Sequence, residues 1–428
     1  MANYINLVSI IFLLVVVAIG FIKKCNIGIL AIGSALVLGQ IGGLSGNEIL
    51  AGFDAKLFIT LVGVSYLFSL AQENGTLELV AKKLIALAGK KTYLVPVIIF
   101  LVSGILSAIG PGNIPVGNLM TVVAVTIAVS MGENPLLFAL AAKVAANGFT
   151  LSPLTPAGVL MQKLGEDAGY TDFIMPIMWN GIIWATILMI GFCVYYKIWK
   201  VKPRQVDLTT ENDTLKTQKL NGKQWVTILG IAVMVVMVVG FNFNVGLASF
   251  FVAAILVILG VANEKGALKN VPWGTLLLIC GVGVLMNVVI KLGGIDLISD
   301  TLLSIMTTKT AAPIISVTSA ILSFFSSTTG VVMPSMIPAV ASINDSLGLG
   351  AAGFTSLSSV VITSSLSAAF SPASTGGGLI LAAYMTASSS KNKEEEQNKL
   401  FGKLLLIAVI CVLVNVVLSA VGVYGIVK

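Results

Sequence analysis

The sequence predicts an all-α polytopic membrane protein made of two inverted repeats of five spans, each repeat with a re-entrant helical hairpin and a broken helix. Three observations carry this. Of 428 residues, 57% are hydrophobic and 10% charged, a balance no water-soluble domain of this length carries; the apolar share covers about ten spans of about 20 residues. One long stretch alone is polar, residues 197–223, and it divides the chain. Short motifs then recur across that divide at an offset near 219.

The first repeat is residues 1–196. Its opening run, Tyr4 to Ile22, has no basic residue before it and Lys23 and Lys24 after it, the reverse of a cleavable signal, so it reads as a span with its N-terminus outside. Spans follow at 27–43 and 56–72, then a polar and apolar alternation over 75–91 that suits a short helix lying in the interface. The hairpin is 93–130: two apolar arms, 94–109 and 114–130, meet at Gly110, Pro111, Gly112 and Asn113. The first arm reaches about 24 Å, short of a hydrocarbon core of about 30 Å, which favours re-entrance over two crossings. A broken span at 136–164 and a span at 172–196 complete the half.

Residues 197–223 form the linker. The second repeat, 224–428, repeats the order: spans at 224–241, 245–261 and 273–290, an interfacial helix at 294–309, a hairpin at 312–343, a broken span at 351–390 and a last span at 401–425. Asn26 to Ala31 matches Asn244 to Ser249, Val62-Gly63-Val64 matches Val282-Gly283-Val284, and Ser152-Pro153 matches Ser371-Pro372. Five crossings is an odd number, so the second half is inverted relative to the first. Inverted repeats with hairpins and broken helices are the architecture of secondary transporters.

Charge fixes the expected orientation. Nineteen of the 25 basic residues fall on the side of the first loop, which makes the linker cytoplasmic and puts both termini outside a cell (inner) membrane. The lysines stand at span ends rather than in a patch with aromatics, so the net charge of +7 reflects topology and not nucleic-acid binding. With no histidine, and with Cys25, Cys193, Cys280 and Cys411 far apart, neither a zinc site nor a general base is visible. An enzyme is not expected, nor any cofactor.

The chemistry belongs where the apolar runs are interrupted. The first broken span contains Asn147 to Pro156, with two prolines and a glycine; the second contains Ser371 to Gly378. Helices unwind at such places, and freed carbonyls with serine and threonine hydroxyls suit a sodium ion. The hairpin tips, Gly110 to Asn113 and Ser326 to Gly330, are each followed by a helix whose N-terminus points into the membrane. Four half-helix N-termini would then converge near the midplane, a setting for an anion. The hydroxyls of the second tip have a competing use as backbone caps. All 18 carboxylates lie outside span centres, which favours sodium over a proton relay. Lys143 is the one basic residue placed within a span; it would attract a carboxylate or stand in for a cation, unless it snorkels to the interface.

The chain resembles the ion-transporter superfamily, in particular the divalent-anion/sodium symporters and the dicarboxylate carriers of the malonate-carrier type. The resemblance rests on Thr155-Pro156 as the family's break, Ser371-Pro372 as its looser counterpart, and Ser327-Thr328-Thr329 and Gly112-Asn113-Ile114 as departures from its Ser-Asn-Thr tips. It implies sodium at Ser107, Gly112, Asn113, Thr150, Ser152, Ser323, Ser327, Thr328, Gly330 and Ser371. It implies substrate at Asn113, Ile114, Thr155, Pro156, Thr328, Thr329, Ser371, Pro372, Ser374 and Thr375. It further implies a homodimer held by scaffold spans and an elevator motion of the hairpins. The expected function is sodium-coupled uptake of a small carboxylate, most readily a dicarboxylate; the alternatives are a proton-coupled or exchange-type carrier of organic or inorganic anions, and an anion channel.

Overall fold

The computed structural model describes residues 2–23, 25–86, 92–200, 219–324, 326–372, 374–387 and 392–427, and these are helical with no strand among them. Most of the linker, 201–218, and Lys24, Lys90, Lys91 and Lys391 of the charge count lie outside the described residues.

The first half contains α1 (Ala2–Lys23), α2 (Ile27–Ile41), α3 (Gly46–Leu50), α4 (Ala55–Glu73), α5 (Thr76–Ala86), α6 (Val95–Ile109), α7 (Asn113–Ser130), α8 (Pro135–Gly148), α9 (Pro156–Asp167) and α10 (Ile174–Tyr195). The second contains α11 (Gly222–Phe241), α12 (Val245–Ile258), α13 (Glu264–Asn270), α14 (Trp273–Lys291), α15 (Gly294–Leu303), α16 (Ala311–Phe324), α17 (Met333–Ser346), α18 (Gly350–Ala368), α19 (Thr375–Ala387) and α20 (Lys393–Ala420). Among the described residues, six helical segments are long and apolar enough to cross a membrane, and a seventh if α16 and the helix from Thr328 to Ser346, which turn by 117°, count as one. α2 and α12, expected as full spans, are shorter than that length criterion. The last helix starts at Lys393, earlier than the apolar run that begins at 401, because Asn392 caps it through the Glu395 amide.

The matched motifs do the same local work. Asn26 accepts from the amides of Gly28 and Ile29, and Asn244 from those of Gly246 and Leu247, so each asparagine caps the helix that follows it. Both helices then cross to the other half at a glycine: α2 packs on α14 and α12 on α4. A Cβ on Gly28 would stand 2.0 Å from the Leu277 carbonyl oxygen, and one on Gly246 2.3 Å from the Thr60 Cα. Backbones touch there, which only glycine permits.

Around these four helices the interrupted elements form a second body. α6 and α7 pack on α8, α16 and α17 on α18, and the arms exchange partners, α9 lying on α17 and α19 on α7. The turn after α9 ties the halves together: Tyr170 stacks on Phe354 with ring centroids 3.9 Å apart, donates to Asp345, and accepts from Asn344 at 2.8 Å.

Candidate transport site

The first tip is fixed by backbone geometry. Gly112 has φ +75°, in the left-handed region that favours glycine, and a Cβ on Gly110 would fall 1.9 Å from the Phe68 ring of α4. The chain can then turn into α7, and Asn113 at its first position bonds the tip to the break. Its amide donates to Thr150 Oγ1 at 3.0 Å, and its Nδ2 to Asn147 Oδ1 at 3.2 Å. Ser107 donates to the Ala146 carbonyl at 2.8 Å. The second hairpin has the counterpart of this last bond: Ser323 donates to the Ser365 carbonyl at 2.8 Å.

α8 stops at Gly148 and α9 begins at Pro156; α18 stops at Ala368 and α19 begins at Thr375. In each gap one hydroxyl is turned inward. Thr155 Oγ1 points at the carbonyls of Thr150 and Ser152 and accepts from the Gly158 amide at 3.0 Å. Ser374 Oγ points at those of Ala369 and Ser371, at 2.6 and 2.7 Å, and accepts from the Gly377 amide at 3.5 Å. Ser152 accepts from the Leu154 amide at 3.3 Å. At the second tip Ser327 accepts from the Gly330 amide at 3.2 Å, opening a single π turn from Thr328 to Val332. Pro372 lies in the second gap, and the Thr375 side chain is outside the described residues.

Six of the expected site residues meet at one place. Gly112, Asn113, Ile114, Thr150, Pro156 and Thr329 line a cavity of about 30 Å³. Both tips and the first break contribute to it. The cavity walls also include Ser65 of α4 and Thr275 of α14, hydroxyl residues that no motif marks because each is a lone polar group within an apolar run. Asn147, at the end of α8, is buried, and its Nδ2 has no acceptor among the described residues.

Three of the four expected N-termini are found at this cavity. Those of α7, α9 and the second tip border the cavity, but Ser371, Pro372 and Ser374 are not among its lining residues. The start of α19 lies instead beside Lys143, since a Cβ on Gly376 would be 3.2 Å from Lys143 Cε and one on Gly117 2.7 Å from its Nζ. The exchange of arms carries α19 to α7 and α8, so its first turn faces the lysine. Nor does Lys143 snorkel: it is 3% exposed. No carboxylate pairs with it among the described residues.

A wider cavity of about 640 Å³ shares Ile279 with the small one and opens toward the ends of α9 and α17. Asp54, Asp167, Asp296 and Asp345 stand in its wall, with Lys163 bound to Asp54 at 3.3 Å and to Asp167 at 2.5 Å.

One comparison bears on this arrangement. A model of the citrate transporter family matches residues 12–366. The chain belongs to the citrate transporter family, within the ion-transporter superfamily. No curated relative matches it. The matched part of this citrate transporter family member takes in both tips, the first break and most of α18, and ends before Ser371. The chain is a multi-pass membrane protein of a transporter family.

Proposed function

We propose that the protein imports citrate or a related small carboxylate together with sodium, by an elevator movement of the hairpins and broken helices against α2, α4, α12 and α14. The observation that carries this reading is the meeting of both tips and the first break at the small cavity. There the Asn113 and Thr150 oxygens would receive sodium, while the Asn147 Nδ2 and the N-termini of α7 and α9 would receive a carboxylate. The reciprocal packing of α2 on α14 and α4 on α12 supports a scaffold of two inverted repeats, each half crossing five times, and a homodimer would form through it.

The hydroxyls of Thr155 and Ser374 serve this site as caps that hold the breaks open, not as ligands. Uptake of citrate, di- and monocarboxylates into proteoliposomes, under sodium and proton gradients applied separately, tests the reading. Citrate uptake driven by sodium supports it; uptake indifferent to sodium overturns the coupling. The exchange-type alternative has its own support in Lys143, a buried amine beside the second break with no carboxylate paired to it among the described residues.

A further inference from the structure

A groove of about 1170 Å³ lies away from the tips, between α10 and α20. Its floor is apolar, formed by Leu188, Phe192, Ile407, Ile410 and Val414. Its mouth is charged and aromatic: Glu133, Glu396, Lys399, Lys403, Tyr196 and Tyr384 stand there. From Lys399 to Val414 the wall follows α20 for about 22 Å, at 1.5 Å per residue, past the depth of about 15 Å that half a hydrocarbon core occupies.

We propose that this groove holds one phospholipid whose headgroup carries both a phosphate and a primary ammonium with N–H groups to donate, as phosphatidylethanolamine does and phosphatidylcholine does not. Along α20 the lining passes from Glu396, Lys399 and Lys403 to Ile407, Ile410 and Val414, which matches the passage from headgroup to acyl chain in a bilayer leaflet. The mouth offers charges of both signs. Lys403 and Lys399 lie one turn apart on one helix and suit a phosphate, although Lys399 also binds Glu395 at 2.5 Å. Glu133 and Glu396 add carboxylate oxygens that accept from a primary ammonium. The space beside Gly191, where a Cβ would meet nothing within 4 Å, is where an acyl chain would run. Such a lipid would touch the loop before α8 and the end of α19, and so both broken spans at once.

The test is native mass spectrometry of the purified full chain after addition of phosphatidylethanolamine, phosphatidylglycerol and phosphatidylcholine in equal amounts. Phosphatidylethanolamine should be retained about tenfold over the others, the ratio expected when a charge-assisted contact to each half of the headgroup is made. Lys399→Glu with Lys403→Glu should abolish that preference. Gly191→Phe, whose ring enters open space in a helix, should remove retention while the thermal melt stays that of a folded protein. Equal retention of the three lipids, preference for phosphatidylglycerol, or retention unchanged in Gly191→Phe would each overturn the proposal. None of these readings depends on transport.

Discussion

Thr155 and Ser374 occupy equivalent places: each hydroxyl points at the carbonyls five and three residues before it and accepts from the amide three residues after it. The two breaks are therefore built by one device, in which a side chain replaces the helical bonds that the interruption removes.

Replacing either hydroxyl residue by alanine is expected to cost about 1 kcal/mol of stability through the lost cap, together with most of the uptake. Thr155→Ser should restore both. Thermal melts and proteoliposome uptake of the four proteins, parent included, check this; an alanine variant with full uptake would show that the cap is dispensable.

Thr150→Ala removes the acceptor of the Asn113 amide and one oxygen beside the cavity. The sodium concentration for half-maximal uptake should rise about tenfold, as expected for the loss of about 1.4 kcal/mol. Thr150→Ser should stay near the parent. A sodium titration of initial rates measures it, and an unchanged midpoint would move sodium away from this tip.

Lys143→Gln tests whether the buried ammonium stands in for an ion. If sodium takes its place, the charge carried per citrate rises by one, read from parallel current and uptake measurements. Full uptake with an unchanged ratio would make Lys143 a structural cation only.

Gly28→Ala should lower stability by about 1–3 kcal/mol because its Cβ has no space against the Leu277 carbonyl. Gly33→Ala on the same helix, with nothing within 4 Å, should be neutral or stabilising by up to about 1 kcal/mol. Denaturation in detergent compares the pair, and equal effects would mean that α2 and α14 are not held at backbone contact.

The helices were legible because hydropathy, proline and glycine mark them directly. Asn26 and Asn244 announced their helices by position, and the prolines at 153 and 156 announced the first gap. α3 and α13 were not foreseen; at five and seven residues they leave no periodicity, and only the Ser45 and Asn263 caps betray them. The site was legible as a set of interruptions but not as a division of labour. Whether a hydroxyl such as that of Thr155 faces a cavity or its own backbone depends on φ and ψ within the gap, and composition does not record those. Ser65 and Thr275 were invisible for another reason: what makes them wall residues is the approach of tips far away in sequence.

A pocket of about 30 Å³ has room for one or two water molecules, far less than a citrate requires. On the proposed function, the shape described here and the shape that accepts substrate are different members of one ensemble, and the measured affinity is the intrinsic one diluted by the rarity of the second. Were that shape present in about one molecule in a hundred, binding would look about a hundredfold weaker than the contacts merit. Variants that loosen Gly110 from Phe68 would then tighten apparent binding without touching a single ligand-facing atom.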